Sequence, residues 1–247
     1  MDFSEIKPIS LKADSDIGVL VSHGYSSTPL SMQYYCKALN EAGFHVECPI
    51  LAGHADNWQK MDRYKWTDWL NDLENALSIL EKRAKTIFVS GLSMGGALVL
   101  LLSQKYQDRF KGVIVINNSG LYDDIRLKMI SFLKYFIKTG DGVCSDIKNP
   151  DEIEIGYAKL MTKSVEQFII LNNTMIKGLP LVKIPALIFK SLEDHVVPVR
   201  SSKAVYDKIS SIDKEIIYLT NSYHVATQDF DKDIIFEKAI DFIKKRL

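Results

Sequence analysis

Residues 86–96 constrain this chain more tightly than any other stretch. A β-rich apolar run at residues 86–89 leads into Gly91, Leu92, Ser93, Met94 and Gly95. An apolar helical pattern (Ala97, Leu98, Leu101, Leu102) follows at once. A G-x-S-x-G between a strand and a helix makes an elbow that lifts a serine hydroxyl clear of its sheet. The turn strains the backbone at the serine, and glycines flank it because a Cβ there would collide with neighbouring backbone. Met94 opens the helix, so its N–H has no intrahelical acceptor and is free for a developing oxyanion.

The rest of the chain repeats the strand–helix rhythm. Residues 9–22 read as the first strands, ending in Ile17, Gly18, Val19, Leu20 and Val21, with Ser22, His23, Gly24 and Tyr25 as a tight loop. A helix is expected over residues 31–42 with Gly43 as its C-cap, then a strand over 44–48. Trp66, Trp69, Leu70, Leu73, Leu77 and Leu80 recur at helical spacing. Strands are expected at 113–116, 185–190 and 214–219, and helices at 200–209 and 231–246. Such alternation predicts a mostly parallel sheet covered on both faces, with functional groups at the carboxyl ends of its strands. His23, Ser93 and Asn117 fall at such ends.

Between residues 119 and 181 the rhythm breaks and no clean strand is legible. Ile125, Met129, Phe132, Leu133 and Phe136 suggest an amphipathic helix ended by Gly140, Asp141 and Gly142. Further helices are expected over 151–161 and 164–176. A segment this long between two strands reads as a helical cap inserted into one domain spanning residues 1–247.

Composition narrows the function classes. The 247 residues carry no formal net charge and have a pI near 7. No basic stripe suggests nucleic acid, and no polybasic cluster suggests an anionic membrane. The first residues lack the apolar stretch of a secretory signal, and no apolar run approaches the roughly 20 residues that span a bilayer. Cys36, Cys48 and Cys144 show no C-x-x-C spacing and read as reduced thiols of a cytoplasmic protein. The sequence contains neither G-x-G-x-x-G nor a phosphate-binding G-x-x-x-x-G-K-[ST] loop. No histidine pair has metal-ligand spacing, so no metal site is expected.

A serine nucleophile needs a base, and the base an orienting carboxylate. Asp194 lies just past a strand, and His224 lies in the loop after the next one. The order Ser93, Asp194, His224 is that of strand–turn–helix serine hydrolases. Glu193 and His195 flank Asp194, but successive residues point in different directions and only one can reach the site. His45 reads as a buried, satisfied strand residue and His54 as structural. The second oxyanion donor is expected from the backbone N–H of Tyr25, beside that of Met94.

At this point the chain resembles a known family. The Gly91–Gly96 elbow, the His23-Gly24 loop and the Asp194 and His224 positions resemble the α/β-hydrolase superfamily. More narrowly, they are similar to bacterial monoacylglycerol lipases and small thermostable carboxylesterases. The likeness includes Ser145-Asp-Ile-Lys-Asn-Pro-Asp151, Glu193-Asp-His-Val-Val-Pro198 and Asn221-Ser-Tyr-His-Val-Ala-Thr227. The resemblance implies an α/β-hydrolase fold and cleavage of monoacylglycerols to glycerol and fatty acid without metal or organic cofactor. It implies a cap forming an acyl tunnel and a glycerol pocket, with Glu154 contacting glycerol hydroxyls and Val143 near the alcohol pocket. The expected partner is a small lipid ester, with at most transient contact with lipid surfaces. The chain departs from the family pattern at Gly53-His-Ala55, where Gly-His-Gly is usual, and between Ser119 and Gly140. Alternatives are a carboxylesterase for other short, medium or aromatic acid esters, an acyltransferase using the same triad, and a ligand-binding protein that keeps the fold without turnover.

Overall fold

A computed structural model describes residues 3–122 and 125–247. Nine strands form, in chain order, β1 (Ile9–Leu11), β2 (Ile17–Ser22), β3 (His45–Cys48), β4 (Thr86–Leu92), β5 (Gly112–Ile116), β6 (Thr139–Asp141), β7 (Lys159–Met161), β8 (Ala186–Ser191) and β9 (Lys214–Leu219). Eight helices join them: α1 (Gln33–Glu41), α2 (Trp66–Leu80), α3 (Met94–Lys105), α4 (Ile125–Lys128), α5 (Ile130–Leu133), α6 (Thr162–Gly178), α7 (Val199–Lys208) and α8 (Lys232–Lys244).

The main sheet has the order β1-β3-β2-β4-β5-β8-β9 and is parallel except for β1, which pairs antiparallel with β3. Its central strands are apolar on both faces because each face is covered. The two-residue period sorts them between two cores. Leu20, Val113, Val115, Ala186 and Ile188 pack with α2, α3, α6 and α7. Val19, Val21, Ile114, Ile116, Leu187 and Phe189 pack with α1 and α8. Gly43, at φ +96°, ends α1 as expected, its N–H donating to Asn40 O.

The insertion between β5 and β8 differs from the expected string of helices. The amphipathic pattern from Ile125 to Phe136 forms only the short α4 and α5, and Phe132 and Phe136 (73% exposed) face outward. Residues 139–141 and 159–161 pair as an antiparallel hairpin. The helix expected over 151–161 is absent. Its backbone instead bonds to the loop after β2: Tyr157 N–H donates to Ser26 O (2.8 Å) and Thr28 Oγ1 to Ile155 O (3.1 Å). These long-range partners replace the i→i−4 bonds of a helix, a tertiary override that local periodicity does not show. α6 anchors the insertion, burying Phe168, Leu171 and Met175 in the core beside α3, with Gln104 Nε2 donating to Met175 O (2.9 Å).

Candidate active site

Ser93 stands between β4 and α3 at φ 56°, ψ −118°, a left-handed conformation that costs a non-glycine residue of order 1–3 kcal/mol. Close packing fixes it there. A Cβ on Gly91 would lie 2.3 Å from the Gly95 carbonyl carbon, and one on Gly95 would lie 2.3 Å from Ser22 O. The elbow is tied to β5 through Ser93 N–H donating to Ile116 O (2.9 Å) and Ser119 N–H donating to Ser93 O (3.0 Å). Ser93 is buried, 8% exposed.

The loop after β2 lies against the serine: a Cβ on Gly24 would be 3.3 Å from Ser93 Cβ. Two buried histidines hold this loop. His23 Nε2 accepts from Leu51 N–H (3.2 Å), so its Nδ1–H donates to Gly24 O (2.9 Å). His54 Nε2 accepts from Ser26 N–H (3.2 Å), and its Nδ1–H donates to Ala52 O (3.2 Å). Protonating either Nε2 would remove an acceptor from a buried amide. Burial, and for His23 also the neighbouring His54, lowers their pKa values to about 3 and about 4. The Tyr25 ring stacks on Phe168 of α6 at 4.9 Å, and its hydroxyl shares a 2.6 Å hydrogen bond with Ser164 Oγ. The residue expected to offer an oxyanion N–H is thereby held from the cap side.

Asp194 and His224 meet as expected, with His224 Nδ1 2.9 Å from Asp194 Oδ2. The flanking residues point elsewhere: Glu193 pairs with Lys148, and the His195 ring with Asp146. Asp194 Oδ1 accepts the N–H groups of Val196 and Val197, each at 2.8 Å. Its Oδ2 also accepts from Lys190 Nζ. Burial acts to raise the Asp194 pKa, but His224 and Lys190 outweigh it and hold the carboxyl well below its usual range.

Several supporting residues were not assigned a role from sequence. Asn117, at φ 44°, donates through Nδ2 to His224 O (2.8 Å) and Ser191 Oγ (2.9 Å), while its Oδ1 accepts Ser191 N–H (2.7 Å). It joins the ends of β5 and β8 to the His224 loop. Asp146 accepts the N–H groups of His224 (3.1 Å) and His195 (3.2 Å) through Oδ2. Asp229 accepts those of Lys148 (2.8 Å), Asn149 (3.0 Å) and Tyr223 (2.9 Å). These two carboxylates latch residues 146–149 of the insertion to the His224 loop. Asp146 lies in the Ser145–Asp151 motif noted in the sequence, whereas Asp229 lies outside the motifs noted there.

Glu154 sits in that same segment, where its Oε2 accepts Ser145 N–H (3.2 Å) and its own N–H donates to Ser145 Oγ (3.0 Å). Val143 is 60% exposed, on an open surface. A cavity of about 420 Å³ opens within the insertion, lined by Leu121, Leu127, Ile130 and Ile169 and by the polar Glu166 and Asn172 among others. It begins one residue beyond Ser119, the hydrogen-bond partner of Ser93 O. Among the described residues, no group of three or more histidine, cysteine or acidic side chains is placed to hold a metal ion. No helix among them is long and apolar enough to cross a membrane.

Known proteins carry the same architecture. The family model described as serine aminopeptidase, S33 matches residues 14–231. A thermostable monoacylglycerol lipase of Bacillus sp. (strain H-257) is 39% identical over 232 residues, covering 93% of this chain and 91% of that protein. Among solved structures, one from a report on LipS and LipT, two metagenome-derived lipolytic enzymes, superposes with a TM-score of 0.94 at 37% identity, covering 97% of each chain. The Paleococcus ferrophilus monoacylglycerol lipase shares the fold, with a TM-score of 0.83 at 16% identity over 98% of this chain and all of that one. The chain therefore belongs to the S33 family of the α/β-hydrolase superfamily.

Proposed function

We propose that this protein is a serine ester hydrolase that cleaves monoacylglycerols to glycerol and free fatty acid. The observation that carries the reading is a strained serine elbow and a hydrogen-bonded His224–Asp194 pair, both at the carboxyl ends of the strands of the main sheet. The name of the Bacillus relative supports the glyceride substrate.

Ser93 Oγ attacks the ester carbonyl while His224 Nε2 takes its proton. The oxyanion is stabilised by the N–H groups of Met94 and Tyr25. Collapse of the tetrahedral intermediate breaks the C–O bond to glycerol, whose oxygen takes the proton from His224. Water, deprotonated by His224, then attacks the acyl-enzyme; a second collapse frees the fatty acid and returns the proton to Ser93. Asp194 holds the imidazole in one tautomer and stabilises its charged form. The cavity within the insertion accepts the acyl chain along its Leu121, Leu127, Ile130, Ile169 and Ile170 side. The Glu154 carboxylate, with one oxygen on Ser145 N–H, offers the other to a glycerol hydroxyl, and the exposed Val143 is assigned to the alcohol side from the family resemblance alone. The free cysteines, two of them buried, suit a cytoplasmic protein meeting lipid surfaces transiently.

The test is kcat/KM for a medium-chain monoacylglycerol beside the methyl ester of the same acid. With the acyl half constant, the ratio reports how the alcohol is recognised. A preference for the glyceride of tenfold or more, on the order of 1.4 kcal/mol, that is lost in Glu154→Ala is expected. Equal rates in the native protein would point to the broader carboxylesterase reading.

A further inference from the structure

Lys190 is a fully buried cation at the end of a central strand, beside the group that orients the base. The residues on its face of β8, Ala186 and Ile188, are core residues, and its side chain is 0% exposed. Burying an ammonium is costly unless it is paired and hydrogen-bonded. Lys190 Nζ has two partners, Asp194 Oδ2 and Val197 O (2.7 Å). The Asp194 oxygen it contacts is the one that accepts from His224. An orienting carboxylate with two backbone N–H donors on Oδ1 is already fixed in its plane. A lysine on the remaining oxygen is therefore not needed to hold it there. What the lysine adds is a positive charge within one carboxylate oxygen of the imidazole.

We propose that Lys190 is a positioning residue of the hydrolytic site: its charge offsets that of Asp194, and by sharing Oδ2 it sets how strongly that carboxylate holds the His224 Nδ1–H. Two consequences follow from Coulomb's law. An ammonium on the same carboxylate oxygen as the imidazole opposes positive charge building up on the ring. By sharing Oδ2, it also weakens Asp194 as an acceptor for the His224 Nδ1–H. Other groups facing this pair are Asp146, whose carboxylate accepts His224 N–H and holds the His195 ring, and Tyr122, close enough to Asp194 for its charge to be felt. Asp229 faces it through Tyr223 N–H, and the Lys148–Glu193 pair lies further out. Lys190 is the cation in direct contact with the Asp194 carboxylate.

The inference rests on the ester-hydrolase reading, and the experiment separates the two. The kcat/KM of native protein, Lys190→Gln and Lys190→Met for a medium-chain ester is followed from pH 5 to 9, with melting temperatures measured alongside. Glutamine keeps a donor for Val197 O without the charge; methionine keeps the volume alone. In both variants the acid limb is expected to move about one to two pH units upward. In Lys190→Gln, the plateau at high pH should stay within about tenfold of native. A lowered melting temperature with an acid limb unmoved to within 0.3 unit, about a twofold change in rate on that limb, would assign Lys190 to packing alone and overturn the proposal. Absence of ester hydrolysis in the native protein would instead overturn the functional reading.

Discussion

The two buried histidines under the loop after β2 should make stability fall steeply below neutral pH. In the folded protein His23 and His54 stay neutral down to about pH 3 and about pH 4, because burial disfavours the cation and each Nε2 already accepts a backbone N–H. In the unfolded chain both titrate near 6.5. Below that pH the unfolded state binds more protons, so stability is complete above about pH 6.5 and is lost as pH falls. At pH 5 each histidine lags its unfolded counterpart by about 1.5 units, worth about 2 kcal/mol, or about 4 kcal/mol for the pair. Asp194, held low, loses its contribution only below its unfolded pKa of 3.8, outside this window. Asp72, raised by burial, works in the opposite sense and trims the drop. Urea unfolding at pH 7.5 and 5.0 measures the difference. Trp69 fluorescence is a suitable probe, since the indole packs 5.9 Å from the His54 ring and its Nε1–H donates to Ala52 O. His54→Gln, which can still accept Ser26 N–H but does not titrate, should reduce the drop to about 2 kcal/mol. A native protein losing less than about 1 kcal/mol over this range would refute the reasoning, since that is below the contribution of even one neutral buried histidine.

Two further perturbations test the elbow. Ser93→Ala should lower kcat/KM for ester hydrolysis by about 10³-fold or more while leaving urea unfolding nearly unchanged; activity within tenfold of native would remove Ser93 from its role. Gly95→Ala forces a Cβ to 2.3 Å from Ser22 O and 2.6 Å from His23 O, both backbone atoms of the loop that faces Ser93. It should cost about 3 kcal/mol in urea unfolding together with most of the activity, and a loss below 0.5 kcal/mol would show that the loop can yield.

The main sheet and the pair Asp194–His224 were legible because their signals are local and periodic. Strands buried on both faces read as apolar runs, and a nucleophile elbow needs its glycines at fixed offsets. The insertion was legible in extent but not in form. Residues 151–158 have enough apolar periodicity to suggest a helix, yet Ile155 and Tyr157 find their backbone partners in Thr28 and Ser26, far away in sequence. The exposed Phe132 and Phe136 likewise show that an apolar stripe does not by itself state what, if anything, it packs against. Asp146, Lys190 and Asp229 were missed, and Asn117 was noted only for its place at a strand end, for a related reason. Each acts through contacts set by tertiary proximity, and a single asparagine, aspartate or lysine carries no spacing signature.

Those same contacts explain why the insertion belongs to the site and does not merely cover it. Residues 146–149 reach the His224 loop through two carboxylates, residues 155–157 strap the loop that carries Tyr25, and Ser164 holds the Tyr25 hydroxyl. The base and the proposed oxyanion donor are thus each held partly from the sheet and partly from the insertion. A rearrangement of residues 145–164 large enough to reshape the cavity would break hydrogen bonds to both, at about 1 kcal/mol for each one left unmade. Substrate selection in this geometry is coupled to assembly of the reacting groups. Variation confined to α4 and α5, whose Leu127 and Ile130 line the cavity, is the route by which the cavity can change while those hydrogen bonds stay in place.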